Sequence, residues 1–395
     1  KGKYIQDALF HLAGLYHTNN SVDQEVALNF LNRLLNEFPE SSHIYQSYLQ
    51  RGDILYKQDK FTDARESYLT AFELAQKRER KLYPKMQSII CLYRSDQVAK
   101  ADEEMKQFDR AFDDIDEYLG QIEVAKGDYY FDRKYFQTAE ETYKSARSKF
   151  KKTQFGPLAE LKLGKLYLTL NKDEEALEIL TEMPEKYEGN KVIPEVYIAL
   201  GEFYYFKARQ PEHAMLAFKN AIEQPNIEEP VLSKGMSYLI KTYFDLGMLD
   251  QALTLSRKYV DRFPLEENTF DIRIQIGIIY NKLNEYDRAI DYLRKLKREA
   301  DEESEPRIQY WIADCYFEQG FFEQAIIEYL KVRYLSKPTK LNWAVTAQYK
   351  AGLAYMKLDK NDEAKQLFRK IIAEQGAESP FGKGAQKKIY EIEQK

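Results

Sequence analysis

The chain has 395 residues, more than a single compact core of roughly 250 to 300 residues sustains, so separate domains or a repeat array are required. Hydrophobic residues make up 44% and charged residues 31%, with 12 Pro and 17 Gly, which excludes long disordered linkers. A net charge of −5 and a pI near 5.7 argue against a duplex nucleic-acid binder, which needs a basic face to displace counterions.

In chain order, the first residues, KGKYIQDALFHLAGLY, read as an amphipathic helix rather than a leader with an apolar centre. No apolar run reaches the roughly 18 residues of a membrane span. The chain therefore reads as a mature piece, with any leader, lipid anchor or further domain lying outside it. A small residue in a recurring frame then appears at Ala13, Gly52, Ile89, Gly127, Gly164, Gly201, Ile240, Gly277, Ala313 and Gly352, spaced 36 to 39 residues apart. Such regularity marks a solenoid of stacked units.

Three residues after the small position comes a ring or Leu, as at Tyr16, Leu55, Tyr130, Tyr167, Tyr204 and Tyr280. Then follows an Ala, as at Ala27, Ala64, Ala139, Ala176, Ala214 and Ala289, and four residues later a large apolar side chain such as Leu31, Tyr68, Tyr143, Leu180 or Phe218. Helical spacing flanks each polar turn and no alternating pattern appears, so each unit is a helical hairpin. The small residue is expected to let helix A lie close to helix B. The third copy, around Ile89, Tyr93 and Ala101, lacks the glycine and carries a polar run from Arg94 to Lys100, which marks it as the weakest link and a hinge.

The frame W-x2-L-G-x2-Y, then Ala, x3 and an aromatic, then Pro, resembles the tetratricopeptide repeat (TPR). The resemblance implies an all-α, right-handed superhelical solenoid of about ten helix-turn-helix repeats. As a single array over 1–395, the repeats fall near 5–40, 45–80, 82–118, 120–154, 157–190, 194–228, 231–265, 270–302, 306–340 and 342–377, with a capping helix at 380–394. The frame's Pro stands at Pro39 and Pro264, and within one residue of its place at Pro225 and Pro338. Two features depart from the pattern: Tyr48, Tyr197 and Met236 replace the Trp, and the period is nearer 37 than 34. Segments NEFPESSHIYQSYLQRGDILY and EQGAESPFGKGAQKKI are similar to TPR proteins of bacterial envelopes, which implies a cell-envelope or periplasmic setting, with the cytoplasm as the alternative.

Catalytic and metal chemistry leave no trace. His11, His17, His43 and His213 are scattered, and Cys91 and Cys315 lie in distant repeats. The acidic runs at Asp113–Glu117 and Asp301–Glu305 lack the spacing of a calcium loop and read as solvated helix ends. The basic clusters at 77–81 and 149–152 read the same way. No phosphate loop or nucleophile elbow is present, so no cofactor, no metal and no enzyme activity are expected.

Partners are then proteins or peptide segments, with no nucleic acid. The resemblance places the ligand surface on the concave face lined by helices A. One and four residues after the small position run a charged series, including Asp53, Asp128, Glu202 and Asp314, and an apolar one. The expected partner-binding residues are Tyr56, Phe131, Glu202, Tyr205, Phe244, Asp314, Phe317 and Met356. Packing within the superhelix is the competing role for the rings. The function expected is a non-enzymatic interaction scaffold; the alternatives are a self-assembling component of a large machine and a regulatory or sensor module attached to another domain.

Overall fold

The computed structural model describes residues 2–16, 21–225, 227–337 and 339–394, so His17 and Pro338 lie outside the described residues. Among these the chain is helical, with no strand. It forms two compact units, residues 1–200 and 201–395.

In the first unit, helices pair as α1 (Gly2–Leu15) with α2 (Ser21–Glu37), α3 (Ile44–Lys57) with α4 (Phe61–Leu74), and α5 (Arg78–Arg94) with α6 (Val98–Ala111). Then follow α7 (Asp116–Asp132) with α8 (Phe136–Lys149), and α9 (Phe155–Thr169) with α10 (Asp173–Lys186). Helix α11 (Ile193–Glu202) runs into a π-helical turn at Phe203–Lys207, and α12 (Pro211–Ile222) returns. The second unit continues with α13 (Glu229–Asp245) and α14 (Leu249–Arg262), α15 (Thr269–Lys282) and α16 (Tyr286–Lys297), and α17 (Glu305–Glu318) and α18 (Phe322–Leu335). It ends with α19 (Trp343–Lys357), α20 (Asn361–Gln375) and α21 (Pro380–Glu393).

The hairpin turns among the described residues share one device. The residue two before helix B adopts positive φ, at Asp59, Asp96, Lys134, Asn171, Arg209, Asn284 and Asp359, and at Gly247 and Gly320. Asn, Asp and Gly tolerate this left-handed backbone best. The next N–H then reaches back to a carbonyl in the last turn of helix A: Lys60 to Leu55 at 2.9 Å, Lys172 to Tyr167 at 2.9 Å, Glu285 to Tyr280 at 2.9 Å. This bond satisfies a helix-end carbonyl and fixes where the chain turns back.

The small position is a crossing point. A Cβ on Gly164 would lie 2.7 Å from Leu180 Cδ2, and one on Gly52 2.7 Å from the Tyr68 ring; Gly127, Gly201, Gly277 and Gly352 face Tyr143, Phe218, Leu293 and Phe368 in the same way. The facing side chains are fully buried, as is the Ala that opens each helix B, from Ala27 to Ala364. The proline of the frame falls just beyond the ends of α2, α12 and α14, where it blocks another helical turn.

The third hairpin departs from the expectation of a weak link. Its small position is filled by fully buried Ile89, and Met86, Ile90, Leu92, Tyr93 and Phe108 join the core around it. Its polar run is engaged rather than loose: Arg94 pairs with Asp132 at 2.9 Å, and Asp96 accepts from the Tyr129 hydroxyl and pairs with Arg133 at 3.3 Å. Where the family's Trp would stand, four residues before the small position, several hairpins carry polar links instead. Lys85 meets Glu104 at 2.8 Å, buried Glu160 takes Lys186 at 2.7 Å, and Gln309 donates to Glu328 at 2.8 Å. A buried acid such as Glu160 is tolerated only because it is paired and hydrogen-bonded.

Candidate protein-binding surface

The charged series on helices A holds hairpins together. Asp53 Oδ1 accepts the hydroxyls of Tyr68 at 2.7 Å and Tyr83 at 2.8 Å. Asp128 takes Tyr143 at 2.6 Å and Lys162 at 3.0 Å; Asp314 takes Tyr329 at 2.9 Å and Lys350 at 2.9 Å. Each joint links an acid of helix A, a tyrosine of its own helix B, and a donor from the next helix A. Burial first, and the neighbouring carboxylate second, push the hydroxyls of Tyr68, Tyr143 and Tyr329 far above the ordinary tyrosine value of 10.0. Where another residue takes the place of the Asp, as at Lys165, Glu202, Ile278 and Leu353, the helix-B residue is Leu180, Phe218, Leu293 and Phe368, none of which carries a hydroxyl, and at Lys241 it is Ser256 rather than a tyrosine.

Asp314 is therefore not a ligand contact: it is 2% exposed and engaged by both donors. Glu202 is held by Lys234 at 2.7 Å. Tyr56, Phe131 and Phe317 are half-buried and meet Phe61, Phe136 and Phe322 across their hairpin turns, with centroids 5.3, 5.8 and 5.4 Å apart. These rings seat the start of helix B, with Phe131 also lining a cleft beside Arg94, Asp132, Lys162 and Lys165. Phe244 and Met356 are half-buried against the neighbouring cores.

Tyr205 stands in a different setting, the π-helical turn. Twelve residues separate Gly164 from Ala176, but thirteen separate Gly201 from Ala214, and the π turn absorbs the extra residue. Helix α12 still returns in register, so Phe218 meets Gly201. The turn leaves Phe206 45% exposed. Tyr205 lies 4.8 Å from Phe206, whose ring is 5.9 Å from Tyr238. Tyr205 donates to Asp245, and burial with this bond pushes its hydroxyl up. Lys241 places its ammonium 5.1 Å from the Tyr205 ring and 5.6 Å from that of Phe206, within cation–π range. Among the described residues no carboxylate pairs with Lys241. Phe206 escaped the regular series, and the thirteen-residue interval was the signal that marked it; Lys241 stands in the charged series, one residue after Ile240.

The histidines and cysteines named from the sequence make contacts within the fold or are buried in it. His43 bonds Asp7 at 2.8 Å and stacks on Phe10, with centroids 4.5 Å apart; His213 lies 5.3 Å from the Tyr204 ring. Cys91 and Cys315 are free and buried, and burial pushes their thiols up to about 12 and about 11. In the acidic run at 301–305, Asp301 Oδ1 accepts the Ser304 N–H at 2.7 Å. In the basic cluster at 77–81, Arg78 donates to the Asp113 carbonyl and Arg80 lies over Tyr45 at 5.3 Å. Among the described residues no group of His, Cys, Asp or Glu is placed to hold a metal, and no helix is long and apolar enough to cross a membrane.

Stacked helical hairpins with a small-residue crossing define a helical-repeat protein. Residues 45–78, 274–334 and 346–375 each match tetratricopeptide repeat family models, and the chain is a tetratricopeptide-repeat protein. Among solved structures it is similar to MamA residues 41 to the end from Desulfovibrio magneticus RS-1, at 17% identity and a TM-score of 0.37, covering 47% of this chain and 97% of that one. It is also similar to the C-terminal part of a TPR repeat-containing protein from Cytophaga hutchinsonii, at 19% identity and a TM-score of 0.41, covering 59% of this chain and 95% of that one. No curated protein matches it. Tetratricopeptide repeats indicate an interaction scaffold with protein partners.

Proposed function

We propose that this protein is a non-enzymatic scaffold that positions partner proteins in a bacterial cell-envelope assembly, and that one partner docks on the helix-A face at the π-helical turn. The observation that carries the site is Phe206, 45% exposed beside Tyr205, Tyr238 and the Lys241 ammonium, which no carboxylate pairs among the described residues. π turns concentrate at functional sites, and clustered rings are the usual anchors of protein interfaces. Glu202 and Asp245 are already bonded, so the site favours an apolar side chain against Phe206 with a carboxylate near Lys241.

The envelope setting rests on the likeness of the Phe-Pro and Ser-Pro link segments to those of bacterial envelope tetratricopeptide-repeat proteins. Ser379 caps α21, accepting the Gly382 N–H at 2.9 Å, with Pro380 in its first turn; Phe38 and Pro39 close α2 while Ser41 donates its N–H to the Phe38 carbonyl at 3.0 Å. The test is partner recovery from the source cell with wild type and a Phe206→Ala, Lys241→Ala variant of matched helicity. The variant is expected to lose about 2 kcal/mol or more of affinity for one partner. Equal recovery moves the surface elsewhere, and fractionation that finds the protein only in the cytoplasm refutes the envelope assignment.

A further inference from the structure

Helices α16, α17 and α18 line a cleft of about 410 Å³ in which cations predominate. Arg294, Lys297 and Arg298 enter it from the end of α16 and Lys331 from α18, beside the buried Gln309 and Glu328. The Glu328 oxygens are taken by Gln309 at 2.8 Å, Gln324 at 2.9 Å and Lys331 at 2.8 Å. Lys297 pairs with Glu305 at 2.6 Å and donates to the Gln309 carbonyl oxygen at 2.6 Å.

Four cations thus meet two carboxylates, Glu328 and Glu305, and two positive charges stay uncompensated in a chain whose net charge is −5. They belong to the arginines. Arg294 donates only to the neutral Tyr316 hydroxyl, at 2.9 Å, and among the described residues Arg298 has no side-chain partner. Other arginines of this unit are matched: Arg273 with Glu299 at 2.8 Å, Arg307 with Asp271 at 2.7 Å and Arg333 with Glu374 at 2.7 Å. Arg294 and Arg298 stand four apart on one face of α16, where like charges repel. The dipole at the end of α16 offsets part of that repulsion, but it has no bearing on Lys331, which reaches the same cleft from another helix.

We propose that this cleft binds a phosphoryl group, as inorganic phosphate or as the phosphate of a small monoester, between the Arg294 and Arg298 guanidiniums. Planar guanidinium forks match phosphate oxygens two at a time. A phosphate carries about −1.5 to −2 charges at pH 7 and matches both arginines, whereas a carboxylate leaves one unmatched. The site shares no residue with the surface at the π turn and does not depend on it.

The test is phosphorus-31 line broadening of inorganic phosphate and of glycerol 3-phosphate by the whole chain, at constant ionic strength. Saturable broadening is expected, with a Kd at or below about 1 mM for one of the two, and the tighter one identifies the source of the phosphoryl group. An Arg294→Gln, Arg298→Gln variant, altered only at exposed positions, is expected to melt as the wild type and to bind at least about tenfold more weakly. Arg294→Lys, Arg298→Lys keeps the charge without the forks and is also expected to bind more weakly, whereas Arg262→Gln, at an exposed arginine outside the cleft, is expected to bind as the wild type. Acetate is expected to displace phosphate at least about tenfold less effectively than unlabelled sulfate does. Broadening that does not saturate, equal binding by either double variant, equal weakening by Arg262→Gln, or acetate as effective as sulfate overturns the proposal.

Discussion

Replacing Gly127 by Ala and Gly164 by Ala applies one chemical change at two crossings that differ in the facing side chain, a Tyr143 ring tied to Asp128 and an unanchored Leu180. At both, the new Cβ falls inside van der Waals contact, with the Tyr143 ring in the first case and with Leu180 Cδ2 at 2.7 Å in the second. Overpacking of this kind costs about 1–3 kcal/mol, and exchanging Gly for Ala in a helix returns about 1 kcal/mol. Leu180 has no polar anchor, so the net loss at Gly164 is expected to be about 0–2 kcal/mol. Tyr143 is tied to Asp128 at 2.6 Å, and the ring yields only by breaking that bond, which adds about 1.5–3 kcal/mol. The net loss at Gly127 is then about 1.5–5 kcal/mol. Amide exchange is the suitable assay, because damage in a solenoid stays near its origin; the effect should appear in α7 and α8 for Gly127→Ala and in α9 and α10 for Gly164→Ala. Tyr143→Phe, made in the Gly127→Ala background, should cost less than it does alone. Equal losses at the two glycines, or strict additivity with Tyr143→Phe, would refute the joint as described.

The tyrosine joints also set a pH dependence: their hydroxyls are raised above 10.0 in the folded state, so their stabilisation is full below pH 10 and is lost as pH rises beyond it. Denaturant midpoints should fall on going from about pH 9 to about pH 11, and a Tyr68→Phe, Tyr143→Phe variant should fall less steeply. At the second hairpin turn, Asp59 has φ 57°, so Asp59→Gly should leave the melting temperature nearly unchanged, whereas Asp59→Val should cost about 1–2 kcal/mol. Phe218→Ala, in the crossing with Gly201, should cost about 3–5 kcal/mol, and Phe206→Ala, on the surface, under about 1 kcal/mol, both read by thermal melting.

The parts of the fold legible in the sequence are those that one residue decides alone. A glycine facing Leu180 or Tyr143, and an alanine such as Ala176 at the start of helix B, are required by close approach and recur with the period. The charged series was misjudged because its meaning lies in pairs. Asp53, Asp128 and Asp314 resemble an exposed clamp until Tyr68, Tyr143 and Tyr329, each fifteen residues on, are recognised as their donors. The pairing was present in the sequence, since no Tyr stands at that place where the Asp is missing. In the third hairpin, Ile89 in place of glycine suggested a defect, but Ile89 is fully buried and half-buried Met105 of helix B packs against the same core. Phe206 belonged to no series because the inserted residue shifts it out of register; only its neighbours in space give it a role.

Site-directed photocrosslinking in the source cell addresses the scaffold and its surface together. A photoreactive residue in place of Phe206 on the helix-A face is compared with one in place of Leu216, which is 56% exposed on helix α12. The expected result is a discrete adduct with one envelope protein from position 206, absent from position 216 and weakened by Lys241→Ala. No adduct from position 206, or the same adducts from both positions, would contradict the docking surface proposed at the π-helical turn.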